Sequence, residues 1–600
     1  MKTLIQDLSA LLGNAFEAEG IDRALGATRP ADRPDLADYQ CNGALAAAKA
    51  AKRNPRDIAA AISARLADVP AFASVEVAGP GFINLTLSHD FLSERLAATE
   101  RAPGFGGWRA PGAEKIVIDY GGPNIAKPLH VGHLRSAIIG EALKRLLRNV
   151  GHDVAGDIHL GDWGLPMGQL ITELELEAPE LPYFDAKVEG PYPSEPPITI
   201  QDLERLYPKA SAACKSDPAR AAEAKRATGD LQEGRAGYRA LWRHFIDLSR
   251  RAIERDYADL GVSFDLWKGE SDADPLIPEM AAAMRAQGLT EIDDGAEIIR
   301  VARDDDKKEI PPLILFKSDG SVLYGTTDLA TIVDRARELD PARMLYVVDQ
   351  RQGLHFEQVF RAAGRAGLFP VDRLEHVGFG TMNGKDGKPF KTREGGVLKL
   401  RDLIDMVDAR ARERLEEGGF AEDLSDSARA DVARKVGIAA LKFADLVNPR
   451  TSDYVFDLDR FLSFEGKTGP YLLYAVVRID SVLSKAGLEG GLGVAPNLEE
   501  LEEKVEWSRA LADRPARELA LALGAYGDAE KSSVEKRMPH FLAEHAYRVA
   551  QAFSKFYAAC RIGDEPDAAL RAARLRLAAA AGRQLIRVLE TLGLETAERM

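Results

Sequence analysis

The sequence predicts an α/β protein in three parts: a small α/β unit, a central domain built on a parallel sheet, and a C-terminal region of helices. The central sheet is indicated by the unbroken apolar run Ile116-Val117-Ile118, which suits a strand buried on both faces. Beyond about residue 425 nearly every segment has helical periodicity. A chain of 600 residues is too long for one core, so about two to four domains are expected.

The first part is expected to cover residues 1–105. It contains two helical patterns and then two strands separated by a Gly-Pro-Gly turn, near residues 4–19, 58–66 and 75–87. A stretch rich in Gly and Pro, 101–111, is typical of a linker. The alternation indicates a small α/β domain joined to the rest of the chain.

The central domain is expected to span residues 112–424. Its strands alternate with helices, which indicates a parallel sheet. The predicted strands start or lie at 114–119, 153–164, 313–316 and 344–348. A segment that is first proline-rich and then charged and helical, about 175–300, is expected to be an insertion in this domain. Ligands of such sheets bind at the carboxyl ends of the strands.

The helical third of the chain divides into a connecting region, 425–468, and an all-α bundle, 469–600. An alanine- and arginine-rich tail from Ala568 to Leu592 continues the helical pattern. No internal repeat or low-complexity tract is visible in the sequence.

Composition excludes several classes of protein. The chain is 46% hydrophobic and 29% charged, as ordinary globular proteins are. Its three cysteines, Cys41, Cys214 and Cys560, lie far apart, which argues against a disulfide framework or thiolate zinc site and fits a reducing compartment. Asp7 interrupts the N-terminus before an apolar signal segment develops, and no apolar stretch of 18 residues is present. We therefore expect a cytoplasmic protein with no membrane contact.

The net charge of −15 does not favour nonspecific binding to nucleic acid. One segment is locally basic, since residues 385–401 contain six lysines or arginines and two acidic residues. Such a run is either a solvated face or a contact to a polyanion, and both interpretations stay open on composition.

Two histidines flank a glycine at the junction between the first central strand and the helix after it, in His130-Val-Gly-His133. Free backbone N–H groups and the helix dipole favour an anion at such a junction, and imidazole N–H groups can donate to phosphate. Two other interpretations stay open on these four residues alone. One is a structural loop with a helix cap. The other is zinc ligation, although the neighbourhood offers neither a cysteine nor a His-Glu-x-x-His pattern.

Further segments accompany the histidine pair. They are Asp119-Tyr-Gly-Gly-Pro-Asn124, Tyr324-Gly-Thr-Thr-Asp328, Asp349-Gln-Arg-Gln352 and the loop 384–395, with 38–43, 79–84, 468–474 and 598–600 outside the central domain. This set resembles class I aminoacyl-tRNA synthetases, and within them arginyl-tRNA synthetases, from end to end. The resemblance implies a Rossmann-type catalytic domain, an N-terminal domain that contacts tRNA, and an anticodon-binding helical bundle.

The resemblance also implies an activity. An arginine–tRNA ligase makes arginyl-adenylate from L-arginine and ATP with Mg²⁺, then transfers arginine to the terminal adenosine of tRNA(Arg), releasing AMP and pyrophosphate. No permanently bound cofactor or metal is implied, and a monomer is expected. Family members usually need bound tRNA before they activate the amino acid, and we expect the same here. Such an enzyme works by positioning and charge neutralisation rather than by a protein nucleophile.

By this resemblance, His130, Gly132 and His133 contact the phosphates of ATP, with His130 and His133 acting as catalytic donors. His159 is expected on the same rim. An alternative for His159 is a structural histidine hydrogen-bonded beside Asp162.

The arginine side chain is a planar, permanent cation that carboxylates bind best through forked hydrogen bonds. The resemblance assigns this task to Asp119 and Asp328, makes Tyr324 a wall of the pocket, and gives the α-amino and carboxylate groups to Asn124 and Gln352. Lysine would be refused because its compact ammonium leaves buried acceptors unpaired. The structural alternatives are a turn residue for Asn124 and a helix cap for Asp328.

Two departures from the class I pattern are visible. The mobile loop usually reads Lys-Met-Ser-Lys-Ser, whereas this chain has Lys388-Pro-Phe-Lys-Thr-Arg393, so the second lysine is out of register. Lys127, just before the histidines, is expected to compensate as a catalytic phosphate contact, with Lys385, Lys388 and Lys391 as further contacts from the loop. Many relatives have small hydroxyl residues where this chain has Gly121 and Gly122, so only backbone N–H groups are available there.

The C-terminal bundle resembles an anticodon-binding domain, including Asp567-Ala-Ala-Leu-Arg571. Residues 541–600 hold nine Lys or Arg against seven Asp or Glu, so a grip by stacking and shape is expected rather than one driven by charge. Tyr471 and Tyr474 either stack on unpaired bases or belong to the core. The rival functions are a class I synthetase for glutamate, glutamine or cysteine, and a non-catalytic tRNA-binding paralogue.

Overall fold

The computed structural model describes residues 2–102, 104–388, 390, 398–420, 423–486, 492 and 507–600. Lys391 and Arg393 of the basic loop lie outside these ranges, so the prediction made for Lys391 is not addressed by the structure.

The N-terminal unit is a four-stranded antiparallel sheet packed against helices. Its strands are β1 (Thr28–Pro30), β2 (Tyr39–Cys41), β3 (Phe72–Ala78) and β4 (Phe82–Leu87), in the order β1-β2-β4-β3. Its helices are α1 (Leu4–Ala18), α2 (Gly43–Ala51), α3 (Pro55–Leu66) and α4 (His89–Arg101). β3 and β4 form the hairpin expected from the turn at Gly79-Pro80-Gly81.

The central domain contains a five-stranded parallel sheet in the order β12-β11-β5-β6-β7. These strands are β5 (Lys115–Tyr120), β6 (Asp153–Leu160), β7 (Leu266–Gly269), β11 (Arg343–Val347) and β12 (Leu374–His376). Ile116 and Ile118 of β5 pack into one apolar core and Val117 into a second, because side chains of a strand alternate between the faces of a sheet. The predicted strand buried on both faces is therefore confirmed.

Helices connect and cover these strands. They are α5 (Val131–Asn149), α6 (Leu165–Glu177), α7 (Ile200–Ser216), α8 (Pro218–Gln232), α9 (Ala236–Asp259), the single turn α10 (Glu270–Ala273), α11 (Ile277–Ala286), α12 (Tyr324–Leu339) and α13 (Gly353–Arg365). The segment 175–300 holds the helical excursion α7 to α9 but also contains β7, through which the chain returns to the main sheet.

The strand predicted at 313–316 does not belong to the parallel sheet. It is β10 (Leu313–Phe316), which pairs antiparallel with β9 (Ala296–Ile299), itself paired with β8 (Thr290–Asp293). Leu313 and Leu315 are buried while Ile314 is 40% exposed. The alternation of strands and helices along the chain predicts this strand in the parallel sheet, but it is covered on one face only, as in many antiparallel sheets.

The C-terminal third is helical, as predicted. Its helices are α14 (Leu400–Glu417), α15 (Asp426–Leu446), the short α16 (Leu458–Phe461), α17 (Gly469–Lys485), α18 (Trp507–Leu511), α19 (Arg514–Gly524), α20 (Tyr526–Lys536), α21 (His540–Ala559) and α22 (Ala568–Thr591). Two short strands, β13 (Met382–Asn383) and β14 (Tyr454–Val455), pair parallel between the central domain and this region.

The first and last parts of the chain contact each other. Arg517 of α19 donates to both carboxylate oxygens of Asp38 at 2.7 and 2.6 Å, and Arg576 of α22 pairs with Glu100 of α4. Asp38 begins one of the segments that carry the family resemblance, and here it joins two domains. Within the described part of the chain, no helix combines the length and the apolarity that a membrane crossing requires.

Candidate active site

The histidine turn, His130 to His133, closes on itself at the start of α5. His130 is the N-cap of the helix and accepts the Gly132 N–H on its Nδ1 at 3.0 Å. His133 in turn accepts the His130 N–H on its own Nδ1 at 3.1 Å. The Val131 N–H donates to Leu398 O at 3.0 Å, and the His133 N–H to His130 O at 2.8 Å. These first N–H groups of α5 already have protein acceptors, so the expectation of free N–H groups here is wrong.

The turn instead presents two imidazole N–H donors, each in a fixed tautomer. A ring nitrogen that accepts a hydrogen bond carries no proton, so each neutral ring has its proton on Nε2. Burial lowers the pKa of His133 to about 3, with smaller effects from His130 and Lys127, and burial and the Lys127 charge lower the pKa of His130. Both rings are therefore neutral Nε2–H donors at pH 7. The capping interpretation and the donor interpretation are compatible, because they use different nitrogens.

Lys127 lies beside the histidine turn, since its charge acts on both imidazoles. Its ammonium sits 4.8 Å from the centre of the Tyr207 ring, a cation–π arrangement with a residue of α7. Helix α7 belongs to the helical segment α7 to α9, which leaves the main sheet. This segment therefore contacts Lys127, the lysine that the sequence predicted as a phosphate contact.

The segment before the turn runs against the carboxyl end of β6. The Ile125 N–H donates to Gly161 O and the Gly161 N–H to Pro123 O, both at 3.1 Å. A side chain on Gly122 would come within 2.2 Å of His159 O, which explains why this chain has glycine there. Gly121 has a positive φ of 72° and donates its N–H to Ser136 Oγ at 2.8 Å.

Asp119 is the next-to-last residue of β5 and is held from inside the protein by an arginine. Arg335 of α12 donates from Nη2 to Asp119 Oδ2 at 2.6 Å, and from Nε and Nη2 to Asp157 Oδ2 at 2.9 and 2.7 Å. Asp119 and Asp157 are register partners on β5 and β6. Burial alone would lower the pKa of Arg335, but the charges of Asp119 and Asp157 hold it well above its ordinary value. Asp119 thus has one carboxylate oxygen held by a buried arginine.

Asp328 is anchored in a similar way. His355 of α13 donates from Nε2 to Asp328 Oδ2 at 2.5 Å. Asp328 lies within α12 rather than at its N-cap, which is Leu323, so the capping alternative for Asp328 is wrong. Tyr324 is the first residue of the same helix and is 68% exposed, with its ring free to line a site.

Asp119 and Asp328 both lie near enough to Tyr346 for their charges to act on its hydroxyl. Burial first, and then the charges of Asp119 and Asp328, raise the pKa of Tyr346 against the opposing effect of Arg335. Tyr346 is the register partner of Asp119 on β11. The tertiary structure therefore brings together the two carboxylates that lie 209 positions apart in the sequence.

Glu270, at the start of α10, adds a further carboxyl group. Burial, together with the charges of Asp162 and Asp328, raises the pKa of Glu270 to about 8. Burial and then the charge of Glu270 raise the pKa of Tyr324. Glu270 therefore lies among Asp162, Asp328 and Tyr324. We call Asp119, Asp157, Asp328 and Glu270 the carboxylate cluster.

The remaining predicted residues lie as follows. His159 ends β6 with its Nε2 at 3.5 Å from Thr331 Oγ1 of α12, while Asp162 binds Ser271 instead. Gln352 is exposed in a turn of 3₁₀-helix directly before α13. Lys388 is exposed, and Lys385 lies 3.6 Å from Asp457 on a cavity of about 750 Å³.

The tyrosines proposed for tRNA lie on α17 and are half-buried. The Tyr471 hydroxyl is 3.2 Å from Ser554 Oγ, and the Tyr474 ring meets Phe420 edge-on at 5.9 Å. Asp567 is the N-cap of α22 and accepts the N–H groups of Ala569 and Leu570. Base stacking by Tyr471 and Tyr474 stays a prediction.

A search of the described residues finds no group of three or more His, Cys, Asp or Glu side chains placed to hold a metal ion.

The comparison with known proteins decides the family. Residues 103–458 match the catalytic domain of tRNA synthetases class I (R), residues 2–87 the arginyl tRNA synthetase N-terminal domain, and residues 472–600 the DALR anticodon binding domain. The arginine–tRNA ligase of Hyphomonas neptunium is 54% identical over 603 aligned positions, covering all of both chains. The chain belongs to the arginyl-tRNA synthetase family.

Other relatives agree. The arginine–tRNA ligase of Maricaulis maris is 52% identical over the full length of both chains. The solved arginyl-tRNA synthetases of Plasmodium falciparum and Thermus thermophilus share the fold, with TM-scores of 0.81 and 0.75 at 23% identity and complete coverage of both chains. The predicted family, the predicted fold class and the predicted class of activity, an aminoacyl-tRNA ligase, are confirmed.

Sequence reasoning missed several residues that surround the predicted site residues: Asp157, Tyr207, Glu270, Arg335 and His355. The sequence did contain one signal for Arg335. Arg335 follows Asp328 by seven residues and therefore shares its helix face, and a buried charged side chain on that face needs a partner. The others come together only through contacts between distant elements.

Proposed function

We propose that this chain ligates L-arginine to tRNA(Arg) in two steps, with ATP and Mg²⁺ as the substrate complex. In the first step a carboxylate oxygen of arginine attacks the α-phosphorus of ATP and pyrophosphate leaves. In the second, a ribose hydroxyl of the terminal adenosine of tRNA attacks the carbonyl carbon and AMP leaves. The observation that carries this proposal is the placement of two inwardly anchored carboxylates, Asp119 and Asp328, at the edge of the sheet where the histidine turn begins.

At the phosphate end, His130 and His133 donate from Nε2 to ATP as negative charge develops on its oxygens. Neutral imidazoles suit this task because they donate without needing to be protonated first. The loss of one such donor typically costs about 3–4 kcal/mol of transition-state stabilisation. Gly132 leaves room for the His130 ring, which a Cβ there would approach to 2.6 Å, and we assign Gly132 a place beside the phosphates. We assign Lys127 as the cation of this end, with His159 on its rim and Lys388 and Lys391 contributing from the loop.

At the arginine end, Asp119 and Asp328 accept hydrogen bonds from the substrate guanidinium. Each has its Oδ2 engaged by a basic side chain of the protein, while Asp119 Oδ1 accepts no hydrogen bond from any described residue. Tyr324 lines the pocket, and Asn124 and Gln352 hold the α-amino and carboxylate groups. A lysine side chain cannot reach two separated carboxylates with one compact ammonium, so it leaves acceptors unpaired.

For tRNA we propose that the α17 tyrosines, Tyr471 and Tyr474, stack on unpaired bases. We further propose that the protein acts as a cytoplasmic monomer and that arginine activation depends on bound tRNA. Pyrophosphate exchange measured with and without tRNA tests that dependence, since a full rate in its absence contradicts it.

The function as a whole is tested by tRNA charging with each of the twenty amino acids in turn. We expect arginine alone to be charged. Charging of glutamate, glutamine or cysteine would refute the assignment of the substrate, and the absence of charging with any amino acid would favour a non-catalytic paralogue.

The site assignment is tested with Asp119→Asn. This variant keeps the shape of the side chain but removes the charge that attracts the guanidinium. We expect the KM for arginine to rise while the KM for ATP stays within about twofold. An unchanged KM for arginine would exclude Asp119 from the arginine site.

A further inference from the structure

The Arg335 side chain lies beneath the proposed arginine site and is not exposed to a ligand there. Tyr324, Asp328, Thr331 and Arg335 follow one another at helical spacing on α12, so one face of this helix lies over the ends of β5 and β6. The Arg335 side chain is 1% exposed and Asp157 is 0% exposed, whereas Asp119 is 14% exposed. Of these three side chains, only Asp119 is open to a ligand.

The contacts of Arg335 are unequal. It makes two hydrogen bonds to Asp157 and one to Asp119, and all of them go to Oδ2 atoms. Because Asp157 fixes the guanidinium from below, Arg335 is not a lid that a ligand displaces. It is a fixed cation that holds one oxygen of Asp119 and leaves the other available.

The register of the sheet explains why a cation is needed. Asp119 and Asp157 are paired on adjacent parallel strands, so two carboxylates lie side by side with little solvent. Two such groups without a cation between them tend to share a proton, which removes charge from the pair. Arg335 is the cation that bridges the two carboxylates.

We propose that Arg335 is a positioning residue for arginine selection: it orients Asp119 and keeps it charged, so that Asp119 Oδ1 meets the substrate guanidinium. Arg335 acts through Asp119 and does not itself touch the substrate. This inference rests on the proposed function, since it requires Asp119 to bind arginine.

The test compares full-length Arg335→Gln and Arg335→Lys with the parent chain in tRNA charging. For Arg335→Gln we expect the KM for arginine to rise about a hundredfold, because truncating one partner of a buried ion pair weakens the sites that depend on it. The KM values for ATP and tRNA should stay within about twofold of the parent. For Arg335→Lys we expect about a tenfold rise, because one ammonium cannot replace a guanidinium that bridges two carboxylates.

A rescue experiment separates positioning from a purely structural role. In Arg335→Gln combined with Asp157→Asn, Asp119 has no neighbouring carboxylate with which to share a proton. We expect the KM for arginine to return to within about tenfold of the parent value, as coupled residues are non-additive. No recovery relative to Arg335→Gln alone would overturn the charge-keeping role.

The matched control is Arg337→Gln on the same helix. Arg337 is 53% exposed and pairs with Glu279 at the surface, so its loss should leave every KM unchanged. If Arg335→Gln does not fold, Arg335→Lys decides, and an unchanged KM for arginine in that variant would overturn the proposal. If Asp119→Asn itself leaves the KM for arginine unchanged, the site assignment fails. If Asp119→Asn raises it and the Arg335 variants do not, only the positioning role fails.

Discussion

At the histidine end of the site, the hydrogen bonds accepted by the His130 and His133 side chains join residues two or three positions apart, whereas at the carboxylate end Asp119 meets Arg335 across 216 positions. The histidine turn is a reciprocal cap made by one short segment at the start of α5. The carboxylate cluster takes its members from β5, β6, α10 and α12. The bonds of the two histidine side chains are therefore local in sequence, whereas the carboxylate end is assembled from distant elements.

This difference separates two kinds of chemistry. The histidine turn holds neutral donors, and its electrostatic contribution comes from fixed N–H dipoles and a neighbouring Lys127. The carboxylate cluster holds acidic groups that interact with partners from other elements. We therefore expect substitutions at the histidine end to lower kcat, and those at the carboxylate end to change the KM for arginine.

The largest effect is expected from Asp328→Asn, which removes one of the two carboxylates that we propose bind the substrate guanidinium. Loss of one partner of a desolvated charge pair costs about 2–5 kcal/mol, so we expect kcat/KM for arginine to fall about a thousandfold. Steady-state charging at varied arginine measures this, with the exposed Glu279→Gln as control. A change below about threefold would show that Asp328 does not face the guanidinium.

The second prediction separates the helix-capping role of His133 from its proposed role as a donor to phosphate. His133→Ala loses both the cap acceptor at Nδ1 and the donor at Nε2, whereas His133→Asn keeps a side-chain acceptor that reaches the Nδ1 position. We expect kcat for pyrophosphate exchange to fall about a hundredfold to a thousandfold in both. Only His133→Ala should also lose about 1 kcal/mol of stability through the cap.

Thermal unfolding measured beside kcat tests this division. If His133→Asn keeps a normal kcat, the imidazole serves the helix cap alone and the phosphate assignment of His133 is wrong.

The third prediction concerns Lys127. Lys127→Met keeps an unbranched chain against the Tyr207 ring but removes the cation. We expect kcat to fall about tenfold to a hundredfold, the value of one charge-assisted hydrogen bond, with an unchanged KM for arginine. Lys388→Met is the comparison, and we expect a smaller loss because Lys388 is exposed. A larger loss of kcat for Lys388→Met than for Lys127→Met would show that the loop, and not Lys127, supplies the main phosphate contact.

The smallest effect is a pH dependence at the carboxylate end. The pKa of Glu270 is raised to about 8 by burial, Asp162 and Asp328. A bound guanidinium favours the ionised carboxylate, so arginine binding releases a proton from Glu270. As pH rises from 7 to 9, the protonated fraction falls, and we expect the KM for arginine to fall up to about tenfold.

Glu270→Gln removes this titration, so its KM for arginine should change less over the same range. The α-amino group of arginine titrates in both proteins, and the ratio of the two KM values at each pH cancels its contribution. A ratio that is constant from pH 7 to 9 would show that Glu270 does not sense the substrate.

The sequence by itself determined the strand, turn and helix around His130 and His133, because apolar runs and helix caps act between near neighbours. It also marked Asp119 and Asp328 through their motifs. It did not determine the pairing of β10, because a run of apolar residues does not indicate which face of the strand is buried.

Only the tertiary structure decided which groups hold those carboxylates. Arg335, Asp157 and His355 meet them because parallel strands β5 and β6 stand in one register and because α12 and α13 pack across their ends. Register and helix packing are set by the burial of many apolar side chains at once. No short segment encodes such contacts, and the proposed selection of arginine depends on them.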